Sequence, residues 1–322
     1  MKKSFLNYVV GGALFLSAPM LTSCQDILGE WDKPTPVNTD AGGGGSTEGV
    51  AYVKYTVSGI TATPSNETAT EYTEWTGTIS PSSISGTYVV TGTATCTGDL
   101  TLAGDVNIIL SDGASMTITG KIVGDDGSYT YPYSLNIYGQ SSNTGEFIVN
   151  TSDAEHGIEA KNISIHGGQV TASNTTALGG QAIFAFSNLY IYGGNVTADS
   201  PNSQAIMVNG GAFDVYNATV TATSTSGYSI ISNAGTTTFY SGTITATGGA
   251  TSTNGIDANI SVYNASVTAT AGTEGISGTI TNSSTEDITY DTYNGTAWTA
   301  NAGTITAGNS TGAALGVKGV RF

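Results

Sequence analysis

One short unit returns through the middle of the chain, and no other feature restricts the fold as strongly. Asn162-Ile163-Ser164-Ile165-His166-Gly167-Gly168-Gln169-Val170-Thr171-Ala172 aligns with Asn188-Leu189-Tyr190-Ile191-Tyr192-Gly193-Gly194-Asn195-Val196-Thr197-Ala198, then with residues 212–222, 236–246 and 259–269. From Val170 through Val196, Val220, Ile244 and Val267 the steps are 26, 24, 24 and 23 residues. Less regular copies lie at 135–139 and 303–307. Each unit also holds a third short segment: 157–160, 182–185, 205–208, 229–232 and 255–258. Apolar and polar residues alternate in these segments, which is the period of a strand. Three strands divided by Gly, Asn and Ser turns within about 24 residues are too short and too regular for a sandwich. They predict an all-β fold, a right-handed parallel β-helix (solenoid), with rungs about 4.8 Å apart.

The alternation also assigns sides. Ile163, Ile165, Leu189, Ile191, Phe213, Val215, Phe239, Ile260 and Val262 are expected to point inward, with Val170, Val196, Val220, Ile244 and Val267. The same alternation runs through 86–93, 100–110 and 116–119, so residues 85–310 make about nine coils of roughly 24 residues. Residues 50–84, with Trp75 and few repeat features, read as an initial strand pair or cap. The period breaks between Ile288 and Trp298, and 311–322 read as a C-terminal tail or cap.

Charge excludes several functions. Only 10% of residues are charged and the formal net charge is -16. From Lys121 onward the other basic residues are Lys161, Lys318 and Arg321, so the basic face that DNA or RNA needs is missing. The polar share comes from Thr, Ser, Asn and Gly, unlike a charged disordered tail or a coiled coil.

The amino end reads as an address. Lys2 and Lys3 precede an apolar run ending near Met20-Leu21, the pattern of a secretory signal and too short to span a bilayer. Leu21-Thr22-Ser23-Cys24 resembles a bacterial lipoprotein box, which implies a signal peptide over 1–23 and lipidation of Cys24. The mature chain would then carry six basic residues against 24 acidic ones, a net charge of -18. Residues 24–49, with Pro34, Pro36 and four consecutive glycines, form a flexible tether. Cys96 has no cysteine left to pair with and reads as a small buried side chain.

Three outward columns are candidates for chemistry. After the first strand of each coil stand Tyr138, His166, Tyr192, Tyr216, Tyr240 and Tyr263. Two readings are open: a platform for the apolar faces of sugar rings in a polysaccharide, or aromatic rings that stack on one another to stabilise the sheet. On the second strand the column is Thr171, Thr197, Thr221, Thr245 and Thr268. On the third it is Glu159, Phe184, Met207, Ile231 and Asp257, whose apolar middle is either a partner surface or lies under the loops at 175–180 and 201–203. Asp153, Glu155 and Glu159 place oxygen ligands close together, which Ca2+ would accept, although the spacing is not that of an EF-hand. Two His and no Cys pair leave zinc without ligands. A lyase needs a base beside cations, and Lys161 is the one cation in 122–317. A hydrolase needs facing carboxylates, and Asp214, Asp257 and Glu159 fall on different columns or coils. No enzyme is expected.

Residues 155–172, with His156-Gly157-Ile158 ahead of Asn162-Ile163-Ser164-Ile165-His166-Gly167-Gly168-Gln169-Val170-Thr171-Ala172, resemble the repeats of a bacterial carbohydrate-binding β-helix family. That family binds plant-cell-wall polysaccharides such as pectic acid and cellulose, with calcium as an accompaniment. The resemblance covers about residues 85–280 and implies the fold and a glycan partner. The family's repeats carry more Asp ahead of the Gly-Ile element, where this chain has Gln181, Gln204 and Tyr228. The chain as a whole resembles a surface lipoprotein of a Bacteroidales organism. The expectation is therefore a non-catalytic lipoprotein of the outer membrane, exposed at the cell surface, that binds a polysaccharide. Its alternatives are an adhesin or spacer with protein partners, and then a lyase or hydrolase.

Overall fold

A computed structural model describes residues 49–322 except 81, 129, 153, 177–178, 234, 250–253, 273, 283–287, 294, 301–303, 310–319 and 322, and describes side chains no further than Thr281. The signal, the lipidation site Cys24 and nearly all of the tether lie outside the described residues, as does Asp153.

The chain folds as a right-handed parallel β-solenoid of about eight turns with repeats of about 24 residues. Strands on the first face hydrogen-bond in register through Val106, Leu135, Ile163, Leu189 and Phe213. On the second face Met116, Phe147, Val170, Val196, Val220, Ile244 and Val267 align in the same way. The third face aligns Leu100, Ile122, Ile158, Ile183, Ile206, Ile230, Ile256 and Ile276. These three columns meet in one core, and every one of these side chains is at most 1% exposed. Parallel sheets in α/β folds are covered on both sides, whereas here one side suffices. The opposite faces cover the interior, while most of the exterior is Thr, Ser and Asn, which water satisfies.

The inward assignments hold for all fourteen aliphatic and aromatic positions, and Cys96 is a buried free thiol. Thr237 also points inward, occupying an apolar column between Phe213 and Ile260. The first rung begins at Thr73 rather than near residue 85: Thr73–Ile79 pairs in parallel with the strand Ser83–Thr97. Trp75 stacks on Tyr88 with centroids 4.2 Å apart and closes that end of the core. Near the other end, Ile288–Tyr293, Gly295–Ala300 and Thr304–Asn309 pair antiparallel, which is where the sequence period breaks. Of residues 311–322, only Val320–Arg321 is described, as a strand beside Ile280–Asn282.

The strand pair expected in 50–84 is an antiparallel ribbon of β1 (Val50–Ser58) and β2 (Thr61–Ala69). Ser58 pairs with Thr61, so two residues make the turn, and Gly59 adopts the positive φ of 60° that such a loop demands. The ribbon lies over the outside of the first face. Its reason is visible in the outward column: Val89 and Ile109 are apolar there, and Val50, Tyr52, Ala69 and Tyr72 cover them as a second small core with Tyr138.

Candidate functional site: the outer surface of the first face

The six aromatic residues do form one column. Tyr138 stacks on His166 at 4.7 Å, His166 on Tyr192 at 4.7 Å, and Tyr192 on Tyr216 at 5.5 Å. Tyr216 then stacks on Tyr240 at 4.3 Å and Tyr240 on Tyr263 at 5.1 Å. Rings so close and so nearly parallel can only lie face to face. Each face inside the stack is therefore occupied by the next ring, and only ring edges are turned away from the column axis.

The ribbon divides this column in two. Tyr52 meets Tyr138 edge-on at 4.8 Å, and Tyr55 lies parallel to His166 and Tyr192 at 6.4 and 6.5 Å. The Tyr55 amide donates to His166 Nδ1 at 3.0 Å, Gln140 donates to the Ala51 carbonyl, and Asn217 donates to the Ala62 carbonyl. Tyr138, His166 and Tyr216 are buried, whereas Tyr192, Tyr240 and Tyr263 are half-buried. Burial pushes the Tyr138 and Tyr192 hydroxyls up to about 12 and raises Tyr216 as well, so these three stay neutral. Burial, helped by Lys54, lowers His166 to about 4, which keeps its Nδ1 free to accept the Tyr55 amide.

One carboxylate accompanies the rings. Asp214 aligns between Tyr190 and Thr238 on the outward side of the first face. Its Oδ1 is buried without a hydrogen-bond partner, and burial raises its pKa to about 6, against the bond from the Thr238 side chain. A carboxylate raised in this way costs stability in full above about pH 6, and not at all below its ordinary value of 3.8. Asp214→Asn should therefore raise the thermal midpoint at pH 7.5 and leave it unchanged near pH 3.5. A gap of equal size at both values would show that the change acts through packing instead. The two histidines work in the other direction, since stability falls as pH drops from 6.5 toward about 4. Comparing variant with parent at each pH removes their contribution.

The third face holds the described members of the acidic set. Glu155 pairs with Lys121, and Glu159 Oε1 accepts the Gly124 and Asp125 amides at 3.1 and 3.2 Å. Burial raises the Glu159 pKa, and His156 Nε2 stands 3.9 Å from its other oxygen. Among the described residues no three His, Cys, Asp or Glu side chains converge as metal ligands. Beside them, Phe184 is covered by Tyr131 at 5.6 Å and His156 at 4.2 Å. Cover thus comes in part from the long connection at 124–133, as well as from within the coil, while Met207 and Ile231 stay half-buried.

No local pattern shows that Tyr52, Lys54 and Tyr55 reach this surface, because their partners lie 86 to 137 positions away. The one available signal was the apolar pair Val89 and Ile109 in an outward column, which required a cover. Asn107 also belongs to this surface: it donates to Thr87 at 3.3 Å and accepts from Asn136 at 3.0 Å, part of an outward amide row. Comparison with family models, curated proteins and solved structures found no match to this chain.

Proposed function

We propose that the chain is a non-catalytic, lipid-anchored outer-membrane protein, exposed at the cell surface, that binds carbohydrate through the outside of its first face. The observation that carries this reading is the surface beyond the ribbon. There the half-buried Tyr240 and Tyr263 stand beside Ser241, Ser261 and Asn264, an array of neutral donors and acceptors. Such groups suit a polyhydroxyl ligand better than a phosphate backbone or an acidic partner. The lipoprotein box at Cys24 and the tether after it supply the anchor and the reach. Non-catalysis is supported by the placement of half-buried Asp214 on the first face and buried Glu159 on the third, which leaves them unable to flank one bond. Glu155 is engaged by Lys121 and Glu159 by backbone amides, and the proposed binding uses no calcium.

The test is retention of the full chain on insoluble and gel-embedded polysaccharides of plant, host and bacterial type. The Tyr240→Ala/Tyr263→Ala double variant should lose retention at least tenfold while its far-UV spectrum is unchanged. A spacer or adhesin is the second reading, favoured by the unbroken ring stack and the burial of Tyr138, His166 and Tyr216. It predicts no retention by the parent and a lower melting temperature for the variant.

A further inference from the structure

The ribbon and the sheet do not close on each other completely. Between them lies a cleft of about 340 Å³. Thr87, Asn107 and Tyr52 line it, with the buried Ile109 and Tyr138 behind them. Lys54 and Glu71 stand at the sides. The volume is at the lower end of small-molecule sites, roughly 300–1,000 Å³, which limits the occupant to about one ring rather than a stretch of polymer.

The lining is more than a gap left by imperfect packing. Ile109 is covered beneath the ribbon, and the aromatic surface that lines the cleft is that of half-buried Tyr52, held by its edge-on contact with Tyr138. An amide has two donors and two lone pairs, and Asn107 uses one donor on Thr87 and one lone pair on Asn136, leaving half its capacity over. The Thr87 hydroxyl accepts from Asn107 and has its own hydrogen to give. Lys54 makes no ion pair among the described residues, although the chain is strongly acidic. Lys54 and Glu71 therefore line a small cavity together with the Tyr52 ring and unspent amide and hydroxyl groups. This combination matches a ring with an apolar face and hydroxyls around its rim. It gives little reward to a net negative ligand, which would meet Glu71 and the field of a chain of charge -16.

We infer that the cleft between the ribbon and the first coils binds a single neutral pyranose ring, at the end or a branch of a glycan. The inference rests on the carbohydrate reading but places recognition at a different point of the face. The open end near Tyr240 and Tyr263 would hold the polymer, and the cleft would read its terminal residue.

Saturation-transfer NMR on the full chain, with methyl glucoside, methyl galactoside, methyl mannoside and galacturonate as probes, tests it directly. Transfer to ring protons of at least one neutral glycoside is expected, with none to galacturonate. It should be lost in the Lys54→Met/Thr87→Val variant, whose positions are exposed and half-exposed and whose melting temperature should match the parent's. Transfer that survives in that variant, transfer to galacturonate alone, or no transfer to any probe would overturn the cleft site. Polysaccharide retention measured alongside separates the two ideas. If retention persists without glycoside transfer, the cleft fails and the carbohydrate reading stands; if retention is absent as well, both fail.

Discussion

Replacing Phe213 by Ala should lower the unfolding free energy by about 3–5 kcal/mol, the usual cost of emptying a buried aromatic site. Phe213 is fully buried at the centre of the first face, with its ring edge-on to Phe239 at 5.7 Å. Neither neighbour can fill the void, because both are fixed by hydrogen-bonded rungs on either side. Urea titration followed by far-UV circular dichroism measures the change. Thr221→Ala, on the outward side of the second face, is the control and should stay within about 0.5 kcal/mol. A solenoid couples each coil only to its neighbours, so hydrogen exchange in the Phe213 variant should rise first around 206–244. A loss below about 1 kcal/mol would mean that the coil relaxes into the space, against the close packing argued above.

Adjacent residues give the second large contrast. Ile108 and Ile109 are both at most 1% exposed, yet one faces the solenoid core and the other lies under the ribbon. Ile108→Asp puts an unpaired carboxylate in the core and should cost more than about 4 kcal/mol, enough to unfold the amino-terminal coils. Ile109→Asp should cost only the burial of one isoleucine, about 1.5–3 kcal/mol, and release the ribbon while the coils remain. Limited proteolysis distinguishes them: cleavage near Gly59 with an intact far-UV spectrum for Ile109→Asp, general digestion for Ile108→Asp. Equal digestion of both would mean that the ribbon and coils fold as one unit. Release of the ribbon would also expose Tyr138 and His166, linking this stability test to the state of the candidate site.

Much of the solenoid could be read directly from the chain. Strand periodicity is local, and a repeat of about 24 residues forces like residues to stack, so the columns of Ile, Val and Ala followed from spacing alone. The same logic located the ring column at Tyr138, His166, Tyr192, Tyr216, Tyr240 and Tyr263. Spacing left undecided whether ring faces or ring edges look outward. That depends on side-chain torsions, which the rung separation settles: rings one rung apart fit only by stacking.

The ribbon was beyond the reach of such reasoning. Tyr55 meets His166 across 111 positions, and no local pattern in Val50–Ser58 says which surface it will cover. An isolated two-stranded ribbon is marginal in water and takes its place from what it packs against. The shift of Asp214 to about 6 has the same origin, since burial there is produced jointly by neighbouring coils. Sequence by itself determined the coil, its period and the residues inside it, because these depend on contacts between equivalent positions one repeat apart. Tertiary structure alone decided which part of the outer face is open, because that depends on a ribbon outside the repeat whose position is set by long-range burial of Val89 and Ile109.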